Sequence, residues 1–136
     1  MTIAIRHIRI LDGLGHRIER GTLLIEGTRI QAVGPEQDVR LPKGAQRIDG
    51  RGLTVLPGLI DCHVHFCLGA EADVVAAVEG EPSSLTLLKA AELARRTLHA
   101  GFTTVRDVGF RDHAVFALKQ AIESGLTPGP RILAAG

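Results

Sequence analysis

At Pro57-Gly58 the spacing of apolar residues changes, and with it the kind of structure the chain can build. Upstream the pattern is that of short strands. Ile3, Ile5, Ile8 and Ile10 alternate imperfectly, Leu23-Leu24-Ile25 lies between Gly21 and Gly27, and Ile30-Gln31-Ala32-Val33 stops at Gly34-Pro35. Glu26-Gly27-Thr28-Arg29 predicts a hairpin turn, and Gln46 to Asp49 and Leu53 to Leu56 read as further strands. Downstream, strands alternate with helices, the signature of parallel βα units. Leu59 to Phe66 is the first of these strands, followed by a long connection, Cys67 to Glu81, with room for a short helix around Ala72 to Val78. Ser83 or Ser84 is placed to cap a helix reaching Ala100, with Leu85, Leu88, Ala91, Ala94 and Leu98 near one face and Gly101 at its end. Phe102 to Asp107 is the second strand, Asp112 to Ser124 the second helix with Gly125 as its stop, and Arg131 to Ala134 the start of a third strand. The division is thus a small β unit over residues 1–56 and βα units over 57–136.

Just past that boundary lies Asp61-Cys62-His63-Val64-His65. Strand alternation throws Asp61, His63 and His65 onto one face and Ile60, Cys62 and Val64 onto the other. Neutral imidazoles are good ligands for zinc and similar divalent ions, so His63 and His65 are candidate metal ligands. The plainer reading of a lone His-x-His is a hydrogen-bonded or solvated pair. Asp61 is a candidate to orient a ligand, or to make a hydrogen bond at the strand start. Arg106 and Asp107 end the second strand on opposite faces; either could reach the site, or they could form an ion pair tying strands or loops together. Cys62 and Cys67 read as small apolar groups, and no disulfide framework is expected. His7, His16, His99 and His113 are assigned to no metal.

The bulk numbers exclude several partners. An apolar share of 45% with 23% charged residues is that of a globular protein, and 16 basic against 15 acidic side chains give no pull toward nucleic acid or an anionic membrane. No apolar run approaches the roughly 18 residues of a membrane helix. Met1-Thr2-Ile3-Ala4-Ile5-Arg6 lacks the order of a signal peptide, so a cytoplasmic location is expected. Four Phe without Trp or Tyr offer little surface for stacking bases.

Pro57-Gly58-Leu59-Ile60-Asp61-x-His63-x-His65, preceded by Gly50-Arg51-Gly52-Leu53-Thr54-Val55-Leu56, resembles the amidohydrolase superfamily of metal-dependent hydrolases. Ala100-Gly101-Phe102-Thr103-Thr104-Val105-Arg106-Asp107-Val108-Gly109 and Gly125-Leu126-x-Pro128-Gly129-Pro130-Arg131-Ile132-Leu133-Ala134-Ala135-Gly136 are similar to its imidazolonepropionase-like and prolidase-like branch. The resemblance implies an α/β fold: the amino-terminal part of a TIM-type (β/α)8 barrel preceded by a partial β-sandwich of the composite urease-like type. It implies His63 and His65 as ligands of one or two divalent ions, zinc foremost. It also implies hydrolysis of a carbon–nitrogen bond by metal-activated water in a non-peptide amide, cyclic amide or dipeptide, hence a small-molecule or dipeptide substrate.

In that family the remaining ligands and a catalytic aspartate come from later strands, and a barrel takes about 250 residues. The expectation is therefore an amino-terminal fragment, inactive alone, with no catalytic residue of its own and open strand edges that favour self-association. The alternative is a non-catalytic truncated product serving as a metal-binding or assembly module.

Overall fold

In the first ten-residue strand of the computed structural model, β1 (Thr2–Leu11), the chain bulges at His7, whose φ is 56°. All residues are described except 70, 71, 74, 75, 77, 78, 110 and 136. The chain divides into two units, Met1–Pro57 and Gly58–Gly136.

In the first unit β1 pairs antiparallel with β2 (Arg17–Glu26), which pairs antiparallel with β3 (Arg29–Pro35). Two parallel partners, β4 (Gln46–Asp49) and β5 (Thr54–Val55), lie along the other side of β1. The bulge explains the imperfect alternation in the sequence. Ile3, Ile5 and Ile8 stand opposite Ile25, Leu23 and Gly21, alternate residues of β2, so an extra residue at His7 keeps three isoleucines on one face. The other face buries Ala4 against Leu24 and Val39. The strand expected over Leu53–Leu56 shortens to Thr54–Val55, where only Arg9 and Ile10 remain to pair.

The second unit is a three-stranded parallel sheet in the order β6 (Leu59–Val64), β7 (Phe102–Asp107), β8 (Arg131–Ala134). Helices α1 (Ser83–His99) and α2 (Ala114–Glu123) make the two crossovers. Val105 and Ile132 from the sheet, Ala90 and Ala94 from α1 and Val115 and Leu118 from α2 form its core with Phe66. Each such fully buried valine or leucine contributes roughly 1.5–3 kcal/mol relative to leaving it exposed.

Three expectations need correction. Helix α1 buries Thr86, Ala90 and Ala94, while Leu85 and Leu88 are 42% and 70% exposed. Small residues face inward because they allow the helix backbone to approach closely, and the leucines expected on that face lie to its side. The N-cap of α1 is Pro82, not a serine: its carbonyl accepts from the Leu85 and Thr86 amides, while the Ser83 hydroxyl donates to Asp112. Helix α2 starts at Ala114 rather than Asp112, because Asp112 and His113 hold left-handed backbone at φ 56° and 53°.

The end of α2 does follow the sequence. Gly125, at φ 77°, donates to Ile122, and Leu126 donates to Ala121, the paired bonds of a Schellman cap. The short helix expected around Ala72–Val78 falls largely outside the described residues. No helix among the described residues is long and apolar enough to cross a membrane.

Candidate functional site

Gly58 sets the start of β6. A Cβ there would lie 2.0 Å from Thr103 Oγ1 and 2.7 Å from Thr103 Cβ, so only glycine lets β6 come this close to β7. Leu59 then donates to the Gly101 carbonyl at 2.9 Å, and the parallel register runs from Leu59 beside Phe102 to Val64 beside Asp107. Asp107 in turn stands beside Ala134 of β8. The carboxyl ends of the three strands are level, which is where parallel α/β proteins gather their chemistry.

The strand is shorter and less regular than expected. It stops at Val64, and the Leu68 amide donates to the His65 carbonyl at 3.0 Å, turning the chain where two more strand residues were expected. Between Asp61 and Val64 the register against β7 shifts. Simple alternation therefore fails for Asp61, which lines a cavity of about 390 Å³ beside α1 together with Val64, Leu93 and Arg96. Its carboxyl accepts the His63 amide at 3.0 Å, so Asp61 makes the local bond at the strand that was its plainer reading.

His63 and His65 do come together: their ring centroids are 5.3 Å apart, edge to face at 68°. His65 is half-buried, and its Nδ1 lies 3.0 Å from the Gly109 carbonyl oxygen. A carbonyl only accepts, so Nδ1 carries the hydrogen and Nε2 keeps its lone pair for another partner. The Cys67 thiol donates to the same carbonyl at 3.6 Å. Burial pushes that thiol above its ordinary pKa. Cys62, on β6, is exposed.

Asp107, 0% exposed, accepts from the Phe66 amide at 3.0 Å with one oxygen and from the Gly109 amide at 3.1 Å with the other. Arg106 points the opposite way and donates through Nε to the Cys62 carbonyl at 2.8 Å. Both residues tie β7 to the histidine segment, as expected, but neither does so through the ion pair offered as one reading. Neighbours on a strand face opposite sides, so each found a backbone partner instead. The sequence reading missed Gly109 as the anchor of His65. The available signal was Asp107-Val108-Gly109, in which an aspartate carboxyl two residues ahead of an amide forms an Asx turn.

Two imidazoles with one free Nε2 fit half of a divalent-metal site. Among the described residues, no group of three or more His, Cys, Asp and Glu side chains is placed to hold an ion.

Residues 54–136 match the amidohydrolase family. The chain is similar to the dihydroorotase of Lactococcus lactis subsp. lactis (strain IL1403), 42% identical over 66 residues that are 48% of this chain and 15% of that protein. It is also similar to the imidazolonepropionase of Chloroflexus aggregans (strain MD-66 / DSM 9485), 32% identical over 105 residues, 67% of this chain and 25% of that one. A crystal structure of a Xaa-Pro dipeptidase with bound methionine in its active site superposes with a TM-score of 0.83 at 33% identity, covering 100% of this chain and 33% of the dipeptidase. The chain therefore spans a third or less of the length of each of these relatives.

Proposed function

We infer function from one premise: the chain belongs to the amidohydrolase family. We propose that His63 and His65 are two ligands of a divalent ion, zinc foremost given two neutral imidazole donors, in an enzyme that hydrolyses a carbon–nitrogen bond. The observation that carries this reading is the ring pair itself, with centroids 5.3 Å apart and His65 Nδ1 held by a carbonyl so that Nε2 is free. When bound, such an ion activates water and polarises the carbonyl under attack.

The chain's own residues hold and orient. Gly109 sets the His65 tautomer, Asp61 fixes the His63 amide, and Arg106 fastens the strand between them at Cys62. The substrate class in this proposal is a non-peptide amide, a cyclic amide or a dipeptide, in keeping with the names of the dihydroorotase, imidazolonepropionase and Xaa-Pro dipeptidase relatives. Unit Gly58–Gly136 would supply the first βα units of a (β/α)8 barrel and unit Met1–Pro57 part of a β-sandwich. The proposed compartment is the reducing cytoplasm, in keeping with two free thiols, Cys62 and Cys67.

A catalytic zinc keeps three protein ligands as a rule, and the described residues offer two. The 136 residues are accordingly proposed to bind metal weakly and to turn over nothing alone. Titration calorimetry with Zn²⁺ tests the first part: binding is expected for the wild-type chain and lost in His63→Ala and His65→Ala. Assays with dihydroorotate, imidazolonepropionate and Xaa-Pro dipeptides test the second, and robust metal-dependent turnover would overturn it.

A second reading, an assembly module, is favoured by the outer strands β6 and β8, each of which has a strand neighbour on one side only, with Ile60 and Leu133 exposed. Size-exclusion chromatography tests it: assembly requires a concentration-dependent oligomer, and a monomer with cooperative unfolding overturns it.

A further inference from the structure

We propose that Asp107 is the positioning residue for the histidine pair: its buried carboxyl holds both the turn that carries His65 and the carbonyl that sets the His65 tautomer. The proposal deepens the ligand reading of His63 and His65 and rests on it.

One Asp107 oxygen accepts from Phe66, the residue directly after His65, and the other accepts from Gly109, whose carbonyl receives the His65 Nδ1 hydrogen. A single carboxyl thus fixes the main chain on one side of the imidazole and its hydrogen-bond acceptor on the other. The Phe66 contact bridges 41 residues of sequence, so no local element could replace it, and the Gly109 contact, two residues away, adds the local Asx turn. The platform under Asp107 is itself clamped. The Val108 amide donates to Val64 at 3.1 Å, and the Ala135 amide donates to the Asp107 carbonyl at 2.9 Å.

Burial makes the arrangement selective. A carboxyl with no solvent exposure has no water to fall back on, and both of its oxygens are used as acceptors. A side-chain amide of the same shape offers only one acceptor. Asp107→Asn therefore turns a donor toward either the Phe66 or the Gly109 amide, and one of the two anchors is lost. Partners behind a metal-ligating histidine typically change metal affinity about 10–100-fold when removed. Here that effect would pass through Gly109.

The test is nitrogen-15 NMR of the His65 ring in the 136-residue chain, combined with Co²⁺ titration. Wild type is expected to show the Nδ1–H tautomer at neutral pH, with slowly exchanging Phe66 and Gly109 amides. Asp107→Asn is expected to mix the tautomers and to weaken Co²⁺ binding roughly 10-fold while the helical circular dichroism stays unchanged.

A folded Asp107→Asn chain with the wild-type tautomer and affinity overturns the proposal. Should that variant fail to fold, the wild-type spectrum decides: an Nε2–H ring or rapidly exchanging Phe66 and Gly109 amides overturn it, and the opposite result supports it. The two claims fail separately. If Co²⁺ binds but is indifferent to His63→Ala and His65→Ala, the ligand reading falls while the tautomer still reports on Asp107. If the histidines bind Co²⁺ yet the tautomer ignores Asp107, positioning alone falls.

Discussion

The surface of the first unit and the strand ends of the second use charged side chains in opposite ways. In Met1–Pro57, charges pair with charges near the surface: Glu36 receives Arg6 and Arg20, Asp49 receives Arg51, and Arg9 pairs with Glu19, while the His7 ring lies against Glu36 and Asp49. In Gly58–Gly136, the polar groups at the carboxyl ends of the strands bond to backbone. Asp107 takes two amides, Arg106 a carbonyl, Asp61 an amide and His65 a carbonyl. A solvated ion pair is easily exchanged for water and contributes little, whereas a side chain bonded to main chain fixes where that chain runs. The surface pairs of the first unit give it a solvated face, as do Lys89–Glu81 and Arg95–Glu92 on the second, whereas the strand-end groups set geometry.

The sharpest way to break this contrast is to remove the buried anchor. Asp107→Ala leaves the buried Phe66 amide and the half-buried Gly109 amide without acceptors, and at about 1–3 kcal/mol for a buried group the expected loss is on the order of 3 kcal/mol, read from urea unfolding curves. A cost as small as that of a surface pair would erase the distinction.

Next in size is Gly58→Ala, which forces a Cβ into Thr103 and must push β6 off β7. Overpacking of this kind costs roughly 1–3 kcal/mol, and faster exchange of the Leu59 amide would localise it to this seam.

The smallest effect belongs to Arg51→Ala. Hydrogen bonding to the Arg51 guanidinium, with help from His7, holds the Asp49 carboxyl well below its ordinary 3.8. A depressed folded-state pKa stabilises above the unfolded value and is lost as pH falls, so the variant should melt slightly lower than wild type at pH 7. The difference should shrink once pH drops below about 4, where the unfolded carboxyl protonates. A large or pH-independent difference would mean that the surface network also sets geometry.

Legibility in the sequence followed the range of the interaction. Gly27-Thr28 as a hairpin turn, Gly101 and Gly125 as helix stops, and Phe102–Asp107 and Arg131–Ala134 as strands are all written in neighbouring residues, and the structure has them. The inward face of α1 was legible only in part: Ala94 is buried and Ala91 packs on the core as expected. Counting leucines favours Leu85 and Leu88, while close packing on the sheet selects Thr86, Ala90 and Ala94.

The site divides along the same line. His63 and His65 stand out as a pair because their spacing is local, and their rings do meet. Asp107 reads only as a strand-end carboxylate, because its main partner, the Phe66 amide, lies 41 residues away, and backbone amides carry no signature in a sequence. The register shift between Asp61 and Val64 is equally silent, and it defeated the expectation that Asp61 shares the histidines' face.

β7 carries no histidine, yet it is the inner strand of the parallel sheet, and both Asp107 and the segment leading to Gly109 hang from it. In kinetic terms, opening of β7 releases Asp107 and Gly109 together, so it sets an upper limit on how long His65 stays tethered, however β6 behaves at the sheet edge. The slowest amide clocks in this unit should therefore tick in Thr104 to Asp107, and a denaturant that speeds them should release the His65 tether as well.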